Sequence, residues 1–143
     1  MALKRPRERT IKVTATGNAN SCNVNFAVDP NDLNFQNNVN GNPKPGYIIY
    51  FDIDEDPGLN CIFHAPDPMW VQPIPAGQNG CPTSPCQWDQ FRVIDIINGG
   101  KTLMVRNEND YQHQFAFTLR FDVAGCAEVK ECDPIGNNQN GPQ

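Results

Sequence analysis

The sequence predicts an all-β protein: a single antiparallel β-sandwich with long Pro- and Asn-rich loops. Three observations predict it. Apolar residues recur with period two along most of the chain, while helical periodicity is nearly absent. Turn chemistry interrupts the apolar runs throughout, drawn from 13 Pro and 11 Gly. At 143 residues the chain is long enough for one real core, and it shows neither a linker between two cores nor an internal repeat.

Each element follows from its own pattern. Ile11, Val13 and Ala15 alternate with Lys12, Thr14 and Thr16, and Cys22, Val24, Phe26 and Val28 alternate with polar or small residues. Both read as strands with one buried face. Residues 29–46 form a polar loop, with a short turn expected at 32–35. Residues 47–53 are nearly continuously apolar, as in a central strand. Asp56, Pro57 and Gly58 end that run, and a short strand is expected within 59–64. Residues 65–88 carry six prolines, at 66, 68, 73, 75, 82 and 85, so regular pairing is expected to be blocked through most of this stretch.

The last third is the most regular. Residues 91–97 and 101–106 form a hairpin around Asn98, Gly99 and Gly100. Phe115, Phe117, Leu119, Phe121 and Val123 mark one face of a long strand over 113–123. Residues 127–131 add a final short strand. Seven or eight strands with turn signals imply an immunoglobulin-like or cupredoxin-like Greek key. The expected organisation is a basic arm at 1–10, the domain at 11–132 and a polar tail at 133–143.

Charge and composition limit the function. Lys4, Arg5, Arg7 and Arg9 against Glu8 give the first ten residues +3, so the net charge of −5 leaves −8 on the rest. An acidic body does not attract nucleic acid over its surface, but a basic arm can meet phosphate, an anionic membrane or the acidic body of another copy. No stretch reaches the ~18 apolar residues of a membrane helix. Residues 10–16 alternate rather than forming an apolar leader core, so the expected location is the cytoplasm, with leaderless export left open.

Six cysteines leave disulfides, free thiols and metal ligation all open. The local pairs are Cys81 with Cys86, which would staple a Pro-rich loop, and Cys126 with Cys132, which on one strand lie too far apart to bond. Neither pair has the CxxC spacing of a zinc ribbon or a redox motif.

The stretch from Cys61 to Met69 offers the most specific chemistry. Cys61, His64 and Met69 supply a thiolate, an imidazole and a thioether, and His113 is the candidate second imidazole of a blue-copper site. The spacing resembles plastocyanin-like cupredoxins, which implies copper-based electron transfer. In those proteins the lone His precedes the loop, whereas His113 follows it. Asp52, Asp54, Glu55 and Asp56 could offer oxygen ligands to calcium, though Pro57 and Phe63 stand where an EF-hand needs Gly and Glu. No ordered catalytic motif and no Gly-rich nucleotide loop occurs. Trp70 and Trp88 are candidate anchors for a protein or carbohydrate partner.

Asn98, Gly99 and Gly100, residues 103–110, the strand 115–121, and Cys132, Asp133, Pro134, Ile135 and Asn137 together resemble the small bacterial all-β proteins of the DP-EP family. The resemblance covers residues 91–137, and Asp133–Pro134 lacks a following Glu-Pro. It implies a compact β-sandwich with no established activity and lends no catalytic residue. The leading expectation is therefore a non-enzymatic module without a cofactor. It would act through protein–protein contacts, as a self-assembling structural subunit, using Lys4, Arg5, Arg7, Arg9, Trp70 and Trp88.

Overall fold

A computed structural model describes residues 7–35, 46–73, 85–108, 113–132 and 135–138, with the side chains of Pro30, His113 and residues 135–138 outside that description. The described residues are mostly β and contain no α-helix. They form two sheets.

The first sheet has five strands in the order β2-β1-β4-β8-β7. They are β1 (Arg7–Asn18), β2 (Asn23–Val28), β4 (Tyr47–Glu55), β7 (Phe91–Ile97) and β8 (Thr102–Asn107). The second is built around β9 (His113–Val123). On one flank β9 pairs with β5 (Cys61–Phe63) and β6 (Met69–Pro73), on the other with β10 (Lys130–Cys132) and β11 (Ile135–Asn138), and β11 pairs with β3 (Asn34–Phe35). The 11-residue β9 thus has an interrupted strand on each side.

The expected wholly antiparallel pairing is corrected. β1 and β4 run parallel, from Arg7 opposite Tyr47 to Ala15 opposite Glu55, and β3 and β11 are also parallel. A parallel neighbour needs a long crossover. The connection from β1 to β4 runs through β2 and then visits the second sheet in a 3-10 turn at Pro30–Leu33 and in β3. Three boundaries also shift. β1 begins at Arg7, so the strand takes in the last part of the expected arm. β6 forms inside the Pro-rich stretch, with Pro66 and Pro68 before it and Pro73 at its end, where a missing N–H costs little. β11 takes up residues expected to belong to the tail. Residues 36–45, 74–84 and 139–143 lie outside the described residues.

Period-two burial packs the sheets together. Ile11, Val13, Ile49, Phe51, Leu103 and Val105 of the first sheet share one core cluster with Phe63, Met69, Val71, Phe115, Phe117, Leu119 and Phe121 of the second. Phe51 meets Phe117 at 5.7 Å between ring centroids. Each such side chain contributes roughly 1.5–3 kcal/mol by burial. A smaller cluster of Ala15, Val24, Leu59, Cys61 and Val123 closes one end. There Gly17, at φ +131°, lets β1 turn tightly into β2, and a side chain on it would collide with the Asn23 carbonyl.

That end is also bonded covalently. Cys22 and Cys126 form a disulfide with Cα atoms 5.6 Å apart at a sequence separation of 104. This long-range pair is not among the local spacings: Cys126 lies in the turn after β9 rather than on a strand with Cys132, and Cys86 and Cys132 are free thiols. Cys81 lies outside the described residues.

Candidate functional site

The Cys61–Met69 stretch does not converge. Along β5, Cys61 and Phe63 are buried and Ile62 is exposed, so the strand turns Cys61 inward and His64 outward. Cys61 sits in the smaller apolar cluster. Burial, and then the neighbouring Glu55 carboxylate, push its thiol up to about 11 against a weaker opposing pull from Lys101. Near neutral pH, with no metal beside it, this is a protonated core thiol. His64 donates its backbone N–H to the Arg120 carbonyl at 2.9 Å and sets Nδ1 2.9 Å from Asp122 Oδ1 on the outer face. Met69 is a core residue. Phe63 lies opposite Phe121, and His113 is eight residues further along β9, roughly 26 Å away at the rise of an antiparallel strand. The four expected copper ligands are therefore not brought together by the backbone: Cys61 turns inward, His64 outward, and the His113 backbone lies far along β9. Among the described residues no three His, Cys, Asp or Glu side chains gather as a metal site would require.

The acidic strand end is likewise divided. Asp52 accepts a hydrogen bond from the Thr102 hydroxyl at 2.6 Å, Asp54 faces outward beside Lys12 at 3.7 Å, and Asp56 accepts from the Gly17 N–H at 3.1 Å. Glu55 faces inward. It takes the Cys61 N–H at 2.7 Å and the Lys101 ammonium at 2.8 Å, while Lys101 also donates to the Cys61 carbonyl at 2.6 Å. This group joins β4 of one sheet to β5 of the other. Burial raises the Glu55 carboxyl, but the bonds from Lys101 and Cys61 outweigh it and the net shift is downward. The carboxylates serve strand ends and a clamp between sheets rather than a shared cation.

The expected anchors are also built in. Trp70 is buried on the outer face, with the Arg120 guanidinium 4.3 Å above its ring and its indole N–H donating to Asp67 at 2.6 Å. Arg120 is held by the Asp67 carbonyl at 2.9 Å and lies 3.5 Å from Glu131. That stack leaves no ring face for a sugar. Trp88 is half-buried against Phe91 and Phe115. Arg7 stacks on Tyr47, and Arg9 lies over Phe35 and Tyr47 while donating to the Asp32 and Asn34 carbonyls at 3.1 and 2.7 Å. These two arginines fasten β1 to β3 and β4. Lys4 and Arg5 lie outside the described residues.

What the structure does leave open is the other edge of the first sheet. No strand occupies the outer side of β7 among the described residues. Its register against β8 shifts between Val93 and Asp95, making Ile94 a bulge. Val93 and Ile94 are 38% and 41% exposed, two of the three exposed large hydrophobics among the described residues. Val93 lies opposite the buried Val105, so it faces the space between the sheets, yet it is not covered. A groove of about 230 Å³ runs beside it, with Met69, Val71 and Phe91 as its apolar floor, Pro66 and Pro68 along one wall, and Asp67 and Arg92 among its polar lining. The cis Ala65–Pro66 bond lies in the turn that carries that wall.

The sequence places 91–97 on a strand without singling out Arg92, Val93, Ile94 and Asp95. One signal there does mark them: two adjacent apolar residues interrupt the alternation of Phe91, Val93 and Ile96. No protein-family profile matches the chain, and no curated protein sequence is significantly similar to it.

Proposed function

We propose that this chain is a non-enzymatic module, a single β-sandwich of Greek-key type, that works through protein–protein contacts as a self-associating structural subunit. The open β7 edge carries this reading. It combines unpaired backbone, exposed apolar side chains and an adjoining apolar groove, the features that strand addition uses. Among the described residues, several considered for metal chemistry are taken up by the fold instead. Cys61 is a core thiol, and the acidic residues are tied to strand ends. Within the DP-EP-like resemblance of residues 91–137, β7 is the first element, so that reading and this one meet at the same strand. The Cys22–Cys126 bond suits an oxidising compartment better than the cytoplasm, which makes export the reading to test for location.

Size-exclusion chromatography with light scattering, at low and high salt, tests the function. The expected result is a species larger than the monomer whose share rises with concentration. A strict monomer at high concentration in both salts would sink the proposal.

A further inference from the structure

The β7 edge has a symmetry that the bulge creates. On a regular strand, residues three apart face opposite sides of the sheet. Here Arg92 lies opposite Arg106 and Asp95 opposite Met104. Arg106 and Met104 are two apart on β8, so Arg92 and Asp95 share the outer face. By the same register Phe91 and Ile96, opposite Asn107 and Leu103, share the inner face. Counted outward from the Val93–Ile94 step in either direction, the strand therefore shows an apolar centre, then one charge, then one inward apolar residue. The charge is positive on one side and negative on the other.

We infer that the outer edge of β7 receives β7 of a second copy of this chain, antiparallel about a two-fold axis through the bulge, so that each Arg92 meets the partner's Asp95. This rests on the self-association proposed above and names its surface. Such an interface is isologous: Arg92 meets the partner's Asp95, and Asp95 the partner's Arg92.

The charges support it. Arg92 faces Arg106 across the strand pair, and like charges so placed repel. Arg106 is paired with Glu108 at 3.3 Å, whereas neither Arg92 nor Asp95 has an ion-pair partner among the described residues. An acid arriving on the free side of Arg92 would relieve that repulsion. The packing supports it as well. Val93 and Ile94 are exposed at the centre of the strand, where the two copies would cover one another. A bulge discourages a flat unrelated strand, so this edge favours a partner with the same irregularity.

Sedimentation velocity of the full chain over a range of concentrations tests the inference. The variants are Arg92→Asp, Asp95→Arg and the two combined. The wild type is expected to be a reversible dimer. Each single swap should weaken association by about tenfold, because two reciprocal pairs per dimer become repulsive. The double swap should restore it. Hydrogen exchange on wild-type protein, at concentrations below and above dimerisation, should show added protection in β7. That arm reads the interface even where a swapped variant does not fold. A dimer indifferent to both single swaps, or no change in β7 protection, overturns this register while self-association stands. A wild type that never dimerises removes the functional reading itself.

Discussion

The two edges of the five-stranded sheet are treated in opposite ways. At one edge, β2 is drawn onto the second sheet. Phe26 stacks on Phe121 with ring centroids 3.9 Å apart, β2 packs against β10, and the turn leading into it is bonded to the turn after β9 through Cys22 and Cys126. At the other, β7 reaches the second sheet through Phe91, whose ring lies 4.7 Å from that of Phe115, while Val93 faces the interior without being covered. Among the described residues, a disulfide ties down only one of these two edges. The exposed apolar pair at this edge is the feature on which the proposed self-association rests.

The sharpest way to break this contrast is to unseal the closed edge. The Cys22–Cys126 bond spans 104 residues of sequence, and closing so long a loop restricts the unfolded chain strongly. Replacing both cysteines by serine should cost about 4 kcal/mol. Urea unfolding of the double variant should show that loss, and reductant should lower the wild type towards it without affecting the variant. A variant as stable as the oxidised wild type would mean that aromatic packing alone holds β2 in place.

A smaller effect is expected at the clamp between the sheets near that end. Lys101→Met leaves Glu55 partly buried without its cation and should cost roughly 1–2 kcal/mol. The pH dependence gives a separate check. The Glu55 carboxyl is held below its ordinary value of 4.5, through hydrogen bonds that outweigh burial. The folded state therefore binds this proton less readily than the unfolded chain. The resulting stability is complete above the ordinary glutamate range and is lost as pH falls through the lower folded value. Lys101→Met should flatten that acid limb, measured by denaturation between about pH 3 and 6, values chosen to bracket the glutamate range. An unchanged acid limb would assign it to other carboxylates.

How far the sequence carries these conclusions differs by element. β9 is legible because Phe115, Phe117, Leu119, Phe121 and Val123 alternate without interruption, and the β7–β8 hairpin because Asn98, Gly99 and Gly100 mark its turn. The direction of pairing is not legible. Nothing within β1 or β4 states that they run parallel, since that depends on where the crossover between them passes. β6 is hidden by prolines that in fact sit before it and at its end. The disulfide escapes notice because local spacing says nothing about partners 104 residues apart. The Cys61, His64 and Met69 spacing looks like a ligand set along the chain. In the fold Cys61 on β5 and Met69 at the start of β6 turn into the core, while His64 turns outward to Asp122. For the open edge, strand position is readable and exposure is not, because exposure depends on how closely the second sheet approaches.

The smallest predicted effect separates the two edges most cleanly, because it moves in two directions at once. In the lone chain Arg92 faces Arg106 on the outer surface. Arg92→Glu turns that repulsion into attraction and should stabilise the monomer by about 0.3 kcal/mol, at the low end for an exposed cross-strand pair. The same substitution sets a second carboxylate against the partner's Asp95 in the proposed dimer and should weaken association. A residue serving only the fold would shift stability and association together, as the cysteine variant should. Thermal unfolding at a concentration below dimerisation measures the first effect and sedimentation the second. A variant more stable as a monomer and poorer as a dimer would mark Arg92 as a position kept for contact at some expense to the fold. Loss of both properties would place it with the structural residues of the closed edge.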